Sequence, residues 1–94
     1  MHERALMDDL LRKVLAVAEA EGATAVTRIR VRLGALSHFT PDHFREHWED
    51  ASRGTLAEGA EVEARLDDAL TGEAAQGVVL ESVEVRGRRA GDGP

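Results

Sequence analysis

Between Arg28 and Leu33 the chain alternates strictly between charge and aliphatic bulk: Arg28, Arg30 and Arg32 interleave with Ile29, Val31 and Leu33. A period of two describes a strand with one buried face and one wet face. This is the feature that most constrains the fold, because the Ile29-Val31-Leu33 face must be covered by another layer. Val26 is out of phase with the run, so either the strand starts after it or a bulge intervenes. Gly34 ends it.

The neighbouring segments have helical spacing and can supply the cover. From Leu6 to about Glu21 the apolar residues are Leu6, Met7, Leu10, Leu11, Val14, Leu15, Val17 and Ala18. Intervals of three and four place most of them on one stripe. Glu3, Asp8 and Asp9 sit near the positive end of this helix, and Gly22 suits its stop. A second helix follows the strand. Thr40 caps it, Pro41 takes the first helical position, and Asp42 adds charge at the favourable end. Phe39 and Phe44 occupy the two positions of a hydrophobic staple, and Phe44, Trp48 and Ala51 continue the buried face towards Gly54.

Ala60, Val62, Ala64 and Leu66 then alternate with Glu61, Glu63 and Arg65, predicting a second strand. A third runs from about Val78 to Arg86. Between them Asp67 to Gly77 reads as a surface connection. The expected fold is α+β, ordered helix-strand-helix-strand-strand, with both helices on one face of a small three-stranded mixed sheet. Residues 1–86 form the single domain, and the glycine- and charge-rich tail 87–94 frays. Neither sheet edge is assured of cover, which leaves a homodimer open through edge pairing or strand exchange.

At 94 residues there is room for one core, built mostly from aliphatics since Phe39, Phe44 and Trp48 are the only aromatics. The chain has no cysteine, which removes disulfides, thiol nucleophiles and thiolate metal sites. A formal charge of -6 argues against a nucleic-acid partner. Arg28, Arg30 and Arg32 are the one candidate basic surface, and an outward strand face explains them better. No apolar run approaches the roughly 20 residues of a membrane span, and the start is not a secretory signal, so the cytoplasm is expected. Enzyme readings find little support. Ser37 and His38 are adjacent, which does not give a nucleophile and base their mutual geometry. Asp67 and Asp68 are not distinguishable from surface charge, and Gly54-Thr55 lacks the lysine and glycine spacing of a phosphate loop.

Metal chemistry is better supplied. Initiator methionine is retained before a residue as large as histidine, so the chain is expected to present the Met1 amine, the His2 amide nitrogen and the His2 imidazole together. Amine and imidazole nitrogens suit nickel, copper and zinc. A deprotonated amide nitrogen favours the tetragonal or square-planar geometry of nickel and copper. The Glu3 amide could supply a fourth nitrogen, or a carboxylate could complete the set. On these residues alone, a solvated terminus leading into a helix competes with the metal reading. His43 and His47 form an i,i+4 pair on the second helix, with His38 just before it and Asp50 a turn beyond. Their closeness to Phe44 and Trp48 favours a structural or solvent-facing role over a second metal site.

Several motifs in order resemble the HypA family of hydrogenase nickel incorporation proteins. They are Met1-His2-Glu3, Gly34-Ala35-Leu36-Ser37, Pro41 through Trp48-Glu49, Gly54-Thr55, Glu58-Gly59-Ala60, and the stretch from Leu80 to Val85. The resemblance implies a metallochaperone rather than an enzyme. It implies nickel(II) bound transiently by the Met1 amine, His2 and Glu3, with His2 indispensable. Delivery would run through a partner GTPase to the large subunit of a nickel-iron hydrogenase; relatives also serve urease maturation. An assisting acidic residue of some relatives has no match at Thr40, and Asp42 is not its equivalent. Family members carry a zinc domain with two Cys-x-x-Cys pairs between the last two strands. Here Asp67 to Gly77 takes that place, so no structural zinc is expected. Those two strands are expected to be neighbours in the main sheet, so the shortened connection is expected to be simple and hairpin-like. Loss of the module also admits a metal-free scaffold paralogue that keeps the partner surface but not transfer.

Overall fold

The structure, a computed structural model, describes the backbone of residues 2–87 and the side chains of residues 4–87. Its elements run α1 (His2–Ala20), β1 (Ala25–Gly34), α2 (Pro41–Ser52), β2 (Glu61–Asp67) and β3 (Val78–Arg86). A short 3-10 helix at Gly72–Gln76 precedes β3. The strand order is β2-β1-β3, with β1 parallel to β2 and antiparallel to β3. A parallel pair needs a long crossover, and α2 lies within the one joining β1 to β2.

Met7, Leu10, Val14 and Ala18 are the buried line of α1, while Val17 points away at 40% exposure. They meet Val26, Ile29, Val31 and Leu33 of β1 and Phe44 and Trp48 of α2 in one core. Val26 joins this face because a bulge intervenes: Val26 pairs with Val85 and Arg28 with Glu84, leaving Thr27 as the extra residue. The bulge is anchored by the Val26 amide, which donates to the Leu56 carbonyl at 2.8 Å. A second shift lies at Glu81, between the pairs Arg30–Ser82 and Val31–Leu80. It explains how Val78 and Leu80 share the core face with Val83 and Val85 although their numbering changes parity. On β2, Val62 and Ala64 pack on the core, but Leu66, in the same phase, is 52% exposed. An edge strand has no neighbour on one side to complete its burial.

The start of α2 follows the sequence reading closely. The Thr40 hydroxyl accepts from the His43 amide at 3.1 Å, and the Phe39 and Phe44 rings meet edge to face at 5.6 Å. The helix ends at Ser52, with Gly54 at φ +81 two residues on.

The opposite sheet face is a lattice of charges. Arg30 Nε meets Glu63 at 3.0 Å, Arg32 meets Asp67 at 3.1 Å, and Arg28 lies within 3.6–3.8 Å of Glu61, Glu63 and Glu84. The three arginines are thus a neutralised strand face and not a basic patch. The Arg30 guanidinium holds the Glu63 carboxyl below its usual range. Asp67 is lowered first by the Ala69 amide and then by Arg32.

The connection from Asp67 to Gly77 corrects the hairpin expectation. β2 and β3 are not neighbours, because β1 lies between them. The segment crosses the carboxyl end of β1 and is bonded to it there: the Gly34 amide donates to the Gly77 carbonyl at 3.0 Å and the Leu36 amide to the Ala75 carbonyl at 2.8 Å. Gly34 is required at this crossing. A Cβ there would lie 2.2 Å from the Ala75 carbonyl oxygen.

Candidate metal centre

Met1, His2 and Glu3 are the residues to which the sequence assigns nickel. Met1 and the side chains of His2 and Glu3 lie outside the described residues, as do residues 88–94 of the tail. The backbone is informative nonetheless, since α1 begins at His2. The first four amides of an α-helix have no intrahelical acceptor, so the main-chain nitrogens at positions 2 and 3 are not committed to the helix ladder. Leu6 follows His2 by four residues, which puts the two positions on one side of α1.

Leu6 lines a groove of about 600 Å³ with Leu36, Ser37, His38, Glu73, Gln76 and Gly77. The loop wall is held firmly. Ser37 is buried and its hydroxyl accepts from the Phe39 amide at 3.3 Å, while its own amide donates to the Gly34 carbonyl at 3.0 Å. His38 adopts φ +68, a conformation histidine tolerates better than most residues, and it is exposed. The groove therefore brings an imidazole and the Glu73 carboxylate beside the first turns of α1. Sequence reasoning did not find Glu73, because only the crossing over β1 carries the 3-10 helix to this end of the sheet.

The α2 pair is better ordered than its spacing alone implied. His43 Nε2 and His47 Nε2 are 3.0 Å apart, with ring centroids at 4.6 Å. Phe39 abuts both rings, at 6.1 and 6.0 Å. Asp50 is engaged elsewhere, by Arg53 at 3.0 Å. Among the described residues no three His, Cys, Asp or Glu side chains gather as a metal-holding group.

Residues 1–86 match the family model described as hydrogenase/urease nickel incorporation, metallochaperone, HypA. The chain belongs to the HypA family. HypA proteins are metallochaperones and not enzymes, and nickel delivery in hydrogenase maturation is their general function. The hydrogenase maturation factor HypA of Archaeoglobus fulgidus is 39% identical over 69 residues, covering 73% of this chain and 63% of the relative. The HypA of Thermococcus kodakarensis is 43% identical over 70 residues, 74% of this chain and 50% of the relative. The chain thus spans roughly half to three fifths of these curated HypA proteins. A solution structure of the nickel metallochaperone HypA from Helicobacter pylori superposes with a TM-score of 0.72 at 13% identity, covering 88% of this chain and 96% of that one. At that identity the likeness establishes the HypA fold alone. Among the described residues no helix is long and apolar enough to cross a membrane.

Proposed function

We propose that this chain binds one nickel(II) ion through the Met1 amine, His2 and Glu3 and hands it on by direct contact. The recipient would be a maturation GTPase and then the large subunit of a nickel-iron hydrogenase. The observation that carries this reading is family membership across residues 1–86 together with the Met1-His2-Glu3 sequence and the start of α1 at His2. Nitrogen ligands of these types match nickel, and a site with few side-chain ligands can release its ion to a partner. Nickel is cargo here, so the chain itself carries out no covalent chemistry. The sequence has no cysteine to bind a structural zinc, and the fold is expected to stand on its packed core without one. The helical circular-dichroism signal should survive a strong chelator.

A second reading is a metal-free paralogue that retains the partner surface. The short Asp67-to-Gly77 crossing, which stands where relatives carry their zinc module, favours it.

Calorimetric nickel titration in metal-free buffer separates the two. The chain beginning at a native Met1 should bind one nickel tightly, while a form extended at its amino end and the His2→Ala variant should lose this tight binding without unfolding. Acylation removes the amine lone pair, and the alanine removes the imidazole. Binding should also weaken on acidification, because protons compete for both nitrogens. Equal affinity in all three forms would exclude the amino-terminal site, and no binding in any of them would favour the paralogue.

A further inference from the structure

We propose that His43 and His47 form a second metal site, a two-imidazole clamp on α2 for a divalent transition-metal ion of the nickel and copper class. It lies on different residues from the amino-terminal site and does not depend on that reading.

The first argument is the bite of the pair. Metal–imidazole bonds of about 2.0–2.1 Å, set at a right angle, place their nitrogens about 2.9 Å apart, whereas a tetrahedral angle places them about 3.4 Å apart. The observed Nε2···Nε2 separation is 3.0 Å. It fits two adjacent corners of a square-planar or octahedral ion, the geometry of nickel(II) and copper(II), better than a tetrahedral one.

The second argument is preorganisation. Thr40 caps the helix through the His43 amide, and the buried Phe39 ring abuts both imidazoles, so backbone and rings are positioned before an ion arrives. Without metal, the same 3.0 Å accommodates one N–H···N hydrogen bond between the rings. A bound ion would take the place of that hydrogen bond, with both Nε2 lone pairs turned towards it.

Electrostatics and access agree with this. Asp42 and Asp50 are paired by Arg45 and Arg53, and Glu46 and Glu49 add further negative charge to α2. This charge opposes the unfavourable effect of the helix's positive end on a cation near its first turn. His43 is exposed and His47 half-buried, so water reaches the pair from the His43 side and the ion can exchange.

The experiment uses the full untagged chain carrying His2→Ala, titrated with nickel chloride in a non-coordinating buffer. The expected result is one weaker equivalent of nickel, a thermal midpoint that rises with nickel concentration, and a shift or broadening of the His43 and His47 ring resonances ahead of those of His38. Adding His43→Gln, at an exposed position where the fold is not at risk, should weaken this binding by about tenfold or more. His43→Gln with His47→Gln should abolish both the binding and the thermal shift. A His2→Ala chain that takes up no nickel would overturn the proposal, and so would a nickel response that survives His43→Gln. Loss of the stronger equivalent in His2→Ala reports on the amino-terminal site, so the two readings fail separately.

Discussion

The two faces of the sheet are built from the same three strands but are held in different ways. On the inner face Ile29, Val31 and Leu33 are almost completely buried under α1 and α2, where Phe44 and Trp48 pack with their rings stacked at 6.5 Å. On the outer face Arg28, Arg30 and Arg32 meet carboxylates from both neighbouring strands, and Arg30 and Glu63 remain about half exposed. Burial of one large aliphatic or aromatic side chain contributes roughly 1.5–3 kcal/mol, while an exposed ion pair contributes about 0–1 kcal/mol. The inner face therefore carries the stability. The outer face keeps an uncovered sheet wet, and the staggered charges along β2 and β3 discourage pairing at the edges.

The sharpest way to break this contrast is Phe44→Ala. The ring is fully buried, so the substitution should cost about 3–5 kcal/mol, a large part of the stability of a domain this small. A urea melt with an unchanged midpoint would mean that α2 does not cover the inner face as described.

A smaller effect is expected one step back, at the cap that holds the covering helix. Thr40→Ala removes the acceptor of the His43 amide and should cost roughly 0.5–2 kcal/mol, with Thr40→Gly costing less. Equal losses for the two variants would place the contribution of Thr40 somewhere other than the cap.

The outer face should give the smallest effect, and one that depends on pH. Glu63 and Asp67 have carboxyl groups held below their usual range in the folded chain, by Arg30 and by the Ala69 amide with Arg32 respectively. A depressed folded pKa means that the unfolded chain binds more protons as the solution is acidified. The contribution is therefore complete above the ordinary carboxylate range near pH 4 and is lost as pH falls through the lower folded values. Glu63→Gln should change the urea midpoint little at neutral pH and flatten its fall below about pH 4. If Glu63→Gln instead matched Phe44→Ala at neutral pH, the proposed ranking of the two faces would be wrong.

Much of the architecture is local in origin. The helical spacing from Met7 to Ala18, the alternation from Arg28 to Leu33, and the Phe39-Thr40-Pro41 start of α2 each act over a few residues. All three were legible in the sequence. Met1-His2-Glu3 and the ordered family motifs likewise pointed to nickel without a fold, because they name ligand atoms rather than distances.

The sequence by itself determined the elements, their apolar faces and the chemistry available at the amino terminus, since these follow from periodicity, capping and side-chain type. Tertiary structure alone decided that β1 lies between β2 and β3, because strand order depends on which apolar faces the helices can cover together. That order sends Asp67–Gly77 across the end of β1, makes Gly34 sterically necessary, and places Glu73 beside His38 and Leu6. It also chose the bulge at Thr27 over a late strand start, because only the bulge lets Val26 pair with Val85 and still face the core. The 3.0 Å approach of His43 and His47 belongs here too: i,i+4 spacing makes it available, and in the folded chain Phe39 packs against both rings.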